Sequence, residues 1–95
     1  MNRVGRSGRP ELVWTEEVVQ KIASKHGVTI DEVQEAFEDA HALITRGRWG
    51  SRLVYGRTEA GRYLSVVTRP EGRWVLWLVT ARDMTAHEKE WYRTK

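Results

Sequence analysis

The chain has 95 residues, enough for one domain with a compact core, and its five Trp, three Tyr and one Phe supply large apolar area from few side chains. It contains no cysteine, which excludes a disulfide framework and a thiolate metal site. The longest apolar run, Trp74 to Val79, is far too short to cross a bilayer, and no apolar signal-peptide core opens the chain, so a cytoplasmic location is expected.

The net charge of +3 is unevenly distributed. Residues 1–10 carry +3 through Arg3, Arg6 and Arg9 with no acid. Residues 11–45 carry −6, with eight acids against Lys21 and Lys25. Residues 46–95 carry +6, with eleven bases against five acids, and nine of those bases are arginines, the side chain best suited to bidentate phosphate contact. This asymmetry points to a polyanionic partner on the C-terminal half, most simply nucleic acid; the plainer alternative is a solvated, arginine-rich surface.

In chain order, residues 1–10 are polar, basic and glycine-containing and read as a flexible arm, leaving residues 11–95 as the single domain. Leu12-Val13-Trp14 reads as a short strand. Thr15 then N-caps a helix with Glu16 and Glu17 in its first turn, Val18, Val19, Ile22 and Ala23 on one stripe, and Gly27 as its stop. Thr29 and Glu32 form a capping box for a second helix, carried on by Ile30, Val33, Ala36, Phe37 and Ala40. The period then changes to two. Leu43-Ile44-Thr45 reads as a short strand before the glycine-rich loop Arg46-Gly47-Arg48-Trp49-Gly50. Arg52 to Thr58 and Arg62 to Thr68 read as a hairpin about Glu59-Ala60-Gly61. Arg69-Pro70-Glu71-Gly72 reads as a second turn, and Arg73 to Thr80 as a strand apolar on both faces, hence central and covered on two sides.

The final stretch, Val79 to Tyr92, is the most informative. Thr85 with Glu88 is another capping box, so Asp83-Met84 is a two-residue link and a terminal helix begins near Ala86. That puts Arg82 beside the helix entrance, with Glu88 and Tyr92 one turn apart on one helix face. Such a strand-end arginine suits either a phosphate or an ordinary surface ion pair. The whole order, a strand, two helices, an antiparallel meander of three or four strands and a terminal helix, defines an α+β domain.

Of the chemical options, a metal site is not expected. His26, His41 and His87 are widely separated, and no pair has helical i, i+4 spacing. His26 sits in a helix C-terminal turn, where capping is the main reading and general base the minor one; His41 and His87 have no distinguishing context. Residues 46–50 match no phosphate-binding loop; they offer RNA an arginine and an aromatic platform, or form a plain turn. No serine or cysteine nucleophile has a recognisable setting. The remaining option is metal-free phosphodiester cleavage, in which RNA supplies its own 2′-hydroxyl nucleophile. Arg82, Arg57, Arg62 and Arg69 can supply cations for the phosphate, and Glu88 and Tyr92 can transfer protons, although a capping carboxylate tends toward a low pKa and makes a poor base.

These motifs, in this order, resemble the BrnT toxins of bacterial type II toxin–antitoxin systems, members of the RelE/ParE-like superfamily. The resemblance runs from about Leu12 to Tyr92. It rests on the early Trp14 strand, Lys25-His26-Gly27-Val28, Val54-Tyr55-Gly56-Arg57-Thr58, Gly61-Arg62, Leu64-Ser65-Val66-Val67, and the ending Val79-Thr80-Ala81-Arg82-Asp83-Met84-Thr85 with Glu88 and Tyr92. It implies a compact RelE-like fold with two N-terminal helices packed on a three- to four-stranded antiparallel sheet and a short C-terminal helix. It also implies a cofactor-free endoribonuclease that arrests growth, neutralised by a small antitoxin with a ribbon-helix-helix DNA-binding part that reaches operator DNA. Carried over by position, Arg82, Arg57, Tyr92 and Glu88 are the expected catalytic set, and Arg62, Arg69 and Lys89 the expected RNA-binding set. Two rivals stand beside this expectation: a non-catalytic module using the same basic face to bind nucleic acid or protein, and a structural protein whose charge asymmetry drives self-association.

Overall fold

The computed structural model describes residues 9–95. The expected basic arm lies outside the described residues apart from Arg9 and Pro10, and Arg9 donates a hydrogen bond to the Phe37 carbonyl at 2.9 Å. The elements are β1 (Glu11–Val13), α1 (Glu16–His26), α2 (Ile30–Phe37), β2 (Leu43–Arg46), β3 (Arg52–Arg57), β4 (Tyr63–Glu71), β5 (Val75–Asp83) and α3 (Ala86–Arg93), with a single 3-10 turn at Arg48–Gly50.

The helix ends follow local chemistry. Thr15 accepts from the Val18 amide, and Gly27 closes α1 in the left-handed region at φ 64, where a Cβ is disfavoured. Thr29/Glu32 and Thr85/Glu88 form full capping boxes at α2 and α3. The helix α2 stops at Phe37, short of the expected Ala40, because the following residues turn to bring Asp39 against β3.

The sheet has five strands in the order β1-β5-β4-β3-β2. It is mixed, which corrects the expected three- or four-stranded antiparallel sheet: β1 lies parallel to β5, with Leu12 opposite Leu76. The intervening helices carry the chain across one face and return it as the meander, so the last strand in the chain lies beside the first. The turn expected at Arg69–Gly72 is also displaced. Strand β4 runs on to Glu71, and Gly72, at φ 67, makes the reversal. Beyond Thr68 only β5 pairs with β4, so Pro70 sits where a missing N–H is tolerated.

One face of the sheet carries α1 and α2. Leu12, Val54, Leu64, Val66, Leu76, Leu78 and Ala81 meet Ile22, Val28, Val33, Ala36 and Phe37 there in a single core. Gly56 is required in this layer, since a Cβ would overlap the Ala36 carbonyl. Among the described residues the opposite face is open apart from α3. Strand β5 is therefore buried on one side only: Trp77 and Val79 remain 38% and 37% exposed, contrary to the two-sided cover expected from its apolar sequence. Its register slips at a bulge between Val67 and Thr68, which skips Val79 and restores the alternation beyond it.

Candidate active site

The open face is a ladder of aligned side chains. Across β3, β4 and β5 one row reads Tyr55, Ser65, Arg82, and the next row pairs Arg57 with Tyr63. Helix α3 lies over this end of the face. Trp91 packs edge-on against Tyr55 with centroids 5.1 Å apart, and Tyr92 against Tyr63 at 5.7 Å. Met84, in the link before the helix, is buried and holds the entrance in place.

Arg82 meets Glu88 in a two-pronged ion pair, 2.9 and 3.0 Å, and its Nη1 also donates to the Asp83 carbonyl at 2.9 Å. The same Glu88 carboxylate accepts from the Thr85 amide at 3.0 Å, so one acid both caps α3 and orients the arginine. The Arg82 hydrogen bonds hold the Glu88 carboxyl below its usual range despite partial burial, and the capping bond from Thr85 adds to this. Glu88 lifts the Arg82 guanidinium in return. Burial, then the nearby Glu88 charge, pushes the Tyr55 phenol upward, partly offset by Arg82. Thr45, Tyr55, His87, Glu88 and Trp91 line a cleft of about 300 Å³ beside this pair.

A second cationic group adjoins the first. Arg57 and Lys89 each stand 5.6 Å from the Tyr63 ring centroid. Among the described residues neither forms an ion pair. By strand spacing and rise, the Arg57 and Arg82 Cα atoms are roughly 12 Å apart, a gap that two long side chains can close on one phosphodiester.

Asp39 ties this corner together. It accepts from the Tyr92 hydroxyl, from the Arg57 amide at 2.8 Å and from the His41 amide at 2.9 Å. Burial alone would raise the Asp39 carboxyl, but these bonds more than offset it and the net displacement is downward. Burial and the Asp39 carboxylate together push the Tyr92 phenol strongly upward. The Tyr92 proton is thus engaged in anchoring α3 to the segment after α2.

Two other expected residues lie away from this corner. Arg62 reaches to the opposite side of the sheet, where its guanidinium joins Glu32 at 3.1 Å, Asp83 at 2.7 and 3.0 Å, and the Gly27 carbonyl at 3.0 Å. Successive residues Arg82 and Asp83 thus serve opposite faces, as strand alternation demands. His26 belongs to the Arg62 side, where it adds positive potential at Asp83. Arg69 is exposed on β4 opposite Trp77, four residues and roughly 13 Å along the strand from Ser65. Among the described residues no three His, Cys, Asp or Glu side chains gather as metal ligands.

Sequence reasoning passed over Asp39, Tyr55, Trp91 and His87. Tyr55 carried a usable signal, standing two residues before Arg57 and hence on the same strand face. His87 adjoins Glu88 at the first turn of the capped helix. Asp39 carried little, because besides the His41 amide its partners are 18 and 53 residues away.

No family model matches the chain, and no curated protein matches it. Among solved structures, it is similar to the crystal structure of the Brucella abortus ribonuclease toxin BrnT, with a TM-score of 0.66 and 21% identity over 80% of this chain and 97% of that one. The chain therefore has the fold of that structure over the part the two share.

Proposed function

We propose that this chain is a BrnT-type toxin, a metal-independent endoribonuclease that arrests growth until a cognate antitoxin covers it. The observation that carries the reading is Arg82, held by the cleft-lining Glu88 at the end of the sheet face where α3 sits, with Arg57 and Lys89 at the neighbouring Tyr63. The fold shared with a ribonuclease toxin supports it.

In this reading the RNA 2′-oxygen attacks the adjacent phosphorus, the bond to the 5′-oxygen breaks, and a 2′,3′-cyclic phosphate forms. Arg82 and Arg57 bind the phosphoryl oxygens as negative charge builds on them. A phosphate exchanges with the Glu88 carboxylate for the Arg82 fork, and Lys89, with Arg69 farther along β4, holds the flanking backbone. His87, on the cleft wall, takes the 2′-hydroxyl proton as the 2′-oxygen attacks, work for which imidazole is the commonest side chain, and the departing 5′-oxygen takes a proton from water. Glu88 positions Arg82, while Tyr92 and Arg62 hold the scaffold. The partner is an antitoxin with a ribbon-helix-helix part, and contact with operator DNA runs through that partner.

The test is cleavage of purified RNA in the presence of a chelator, by the wild type and by Arg82→Ala and His87→Ala, with products examined for cyclic phosphate ends. Metal-independent cleavage lost in both variants is expected. No cleavage by the wild type, with or without ribosomes, and no growth arrest on expression would leave only the non-catalytic binding role.

A further inference from the structure

The turn between β2 and β3 is the most strained point of the described chain. Trp49 occupies the left-handed region at φ 59 and ψ 31, the one non-glycine residue at positive φ among the described residues, and its side chain is 91% exposed. A bulky residue in that conformation is an outlier, and such strain collects where a side chain must be presented. The turn holds it firmly. Arg52 donates to the Gly50 and Ser51 carbonyls at 3.0 and 3.3 Å, the Gly47 amide bonds the Ser51 carbonyl at 3.0 Å, and Ser51 returns a bond to the Arg48 carbonyl at 3.0 Å. Burial does not explain the tryptophan, and neither does turn chemistry, for which glycine would serve better.

The surroundings indicate a ligand class. Arg46 and Arg48 lie just before Trp49 in the chain, both exposed and neither in an ion pair among the described residues. An aromatic anchor for a protein partner would sit within an apolar surround, whereas this collar is arginine, glycine and serine. An exposed indole with two exposed arginines close to it in the chain matches the two surfaces of single-stranded RNA, bases for stacking and phosphates for charge. The position fits as well. Arg46 and Arg52 pair on the last rung before the turn, and the rung before it carries Thr45, which lines the cleft together with Glu88, the partner of Arg82.

We infer that Trp49 is a stacking platform for an unpaired base of the RNA strand whose scissile phosphate lies at Arg82, with Arg46 and Arg48 holding the phosphates beside that base. The inference rests on the proposed ribonuclease reading of the open face. It makes the β2–β3 turn a second contact, a few nucleotides from the reaction, that favours unpaired RNA over duplex.

The test is the affinity of a fluorescent, uncleavable 2′-O-methyl nonaribonucleotide for the wild type, Trp49→Ala, Trp49→Gly and Trp49→Tyr, alongside their melting temperatures and their cleavage of ordinary RNA. Trp49→Ala and Trp49→Gly should weaken binding about tenfold, the loss of one base–aromatic stack, while Trp49→Tyr keeps most of the affinity. Trp49→Gly should at the same time melt no lower than the wild type, because it relieves the backbone; a purely structural tryptophan would not separate stability from binding in this way. Wild-type affinity in Trp49→Ala and Trp49→Gly, with cleavage intact, overturns this inference alone and assigns the turn to a protein surface. A wild type that neither binds nor cleaves RNA overturns the ribonuclease reading together with it.

Discussion

Replacing Arg62 with alanine separates scaffold from site. Arg62 makes an ion pair with Glu32, another with Asp83 and a hydrogen bond to the Gly27 carbonyl, joining the α1 C-terminus, α2 and the end of β5. The Arg62 and Glu32 side chains are 29% and 30% exposed and that of Asp83 is 59% exposed, so solvent screening keeps each pair in the range of surface ion pairs. Two screened pairs at about 0.5 kcal/mol each and one charge-assisted bond at about 1 kcal/mol give about 2 kcal/mol in total. For a domain of this size that lowers the melting temperature by roughly 8–16 °C. The pH dependence has a definite sign. Arg62 holds the Asp83 carboxyl below its ordinary value of 3.8, so this stability is present at neutral pH and lost as pH falls through and below that value. Glu32 is lowered first by its capping bond from Thr29, so part of its share survives in the variant. Arg62→Ala should therefore melt earlier at neutral pH, show a flatter acid limb and lose part of its salt sensitivity, while cleaving RNA at the wild-type rate below its melting temperature. Thermal denaturation by circular dichroism from pH 2 to 7, with cleavage measured in parallel, tests this. A melting temperature within 2 °C of the wild type combined with lost cleavage would refute the reasoning and return Arg62 to the RNA-contacting set.

Arg82→Ala should do the reverse, lowering cleavage by at least about 100-fold while costing no more than about 1 kcal/mol, because its pair with Glu88 is partly solvated; a large fall in melting temperature would show a mainly structural arginine. His87→Ala should lower cleavage by about 100-fold or more with stability unchanged, read from single-turnover rates and melting curves. Tyr92→Phe should keep cleavage and cost about 1 kcal/mol. The Tyr92 phenol is raised above its ordinary 10.0 in the folded protein, so its contribution is full below that pH and lost above it; stability measured between pH 9 and 11 should fall less steeply in the variant. Gly56→Ala should prevent stable folding, at a cost above roughly 3 kcal/mol, since the added methyl meets the Ala36 backbone rather than a movable side chain; a soluble variant with wild-type melting would contradict that packing.

The sequence by itself determined most of what depends on neighbours in the chain, although the end of α2 and the β4–β5 turn were displaced. The three helix starts, the Gly27 stop and the pairing of β3 with β4 are local, set by caps, glycine and alternation, and they were legible. So was the closeness of Arg82 and Glu88, because a capping box fixes the helix entrance within a few residues of the strand end. Tertiary structure decided what depends on distant segments. Strand β1 reaches β5 only because two helices carry the chain around the core, so the sheet became mixed and five-stranded. Arg57 and Arg62 looked equivalent in one hairpin, yet Arg57 faces the open side and Arg62 is drawn to Glu32 and Asp83 on the other. The Tyr92 hydroxyl bonds Asp39, a residue 53 positions away that only the fold brings to it. For Arg62 and Tyr92 the contact was set by a carboxylate that folding placed opposite, a partner that periodicity and spacing do not encode.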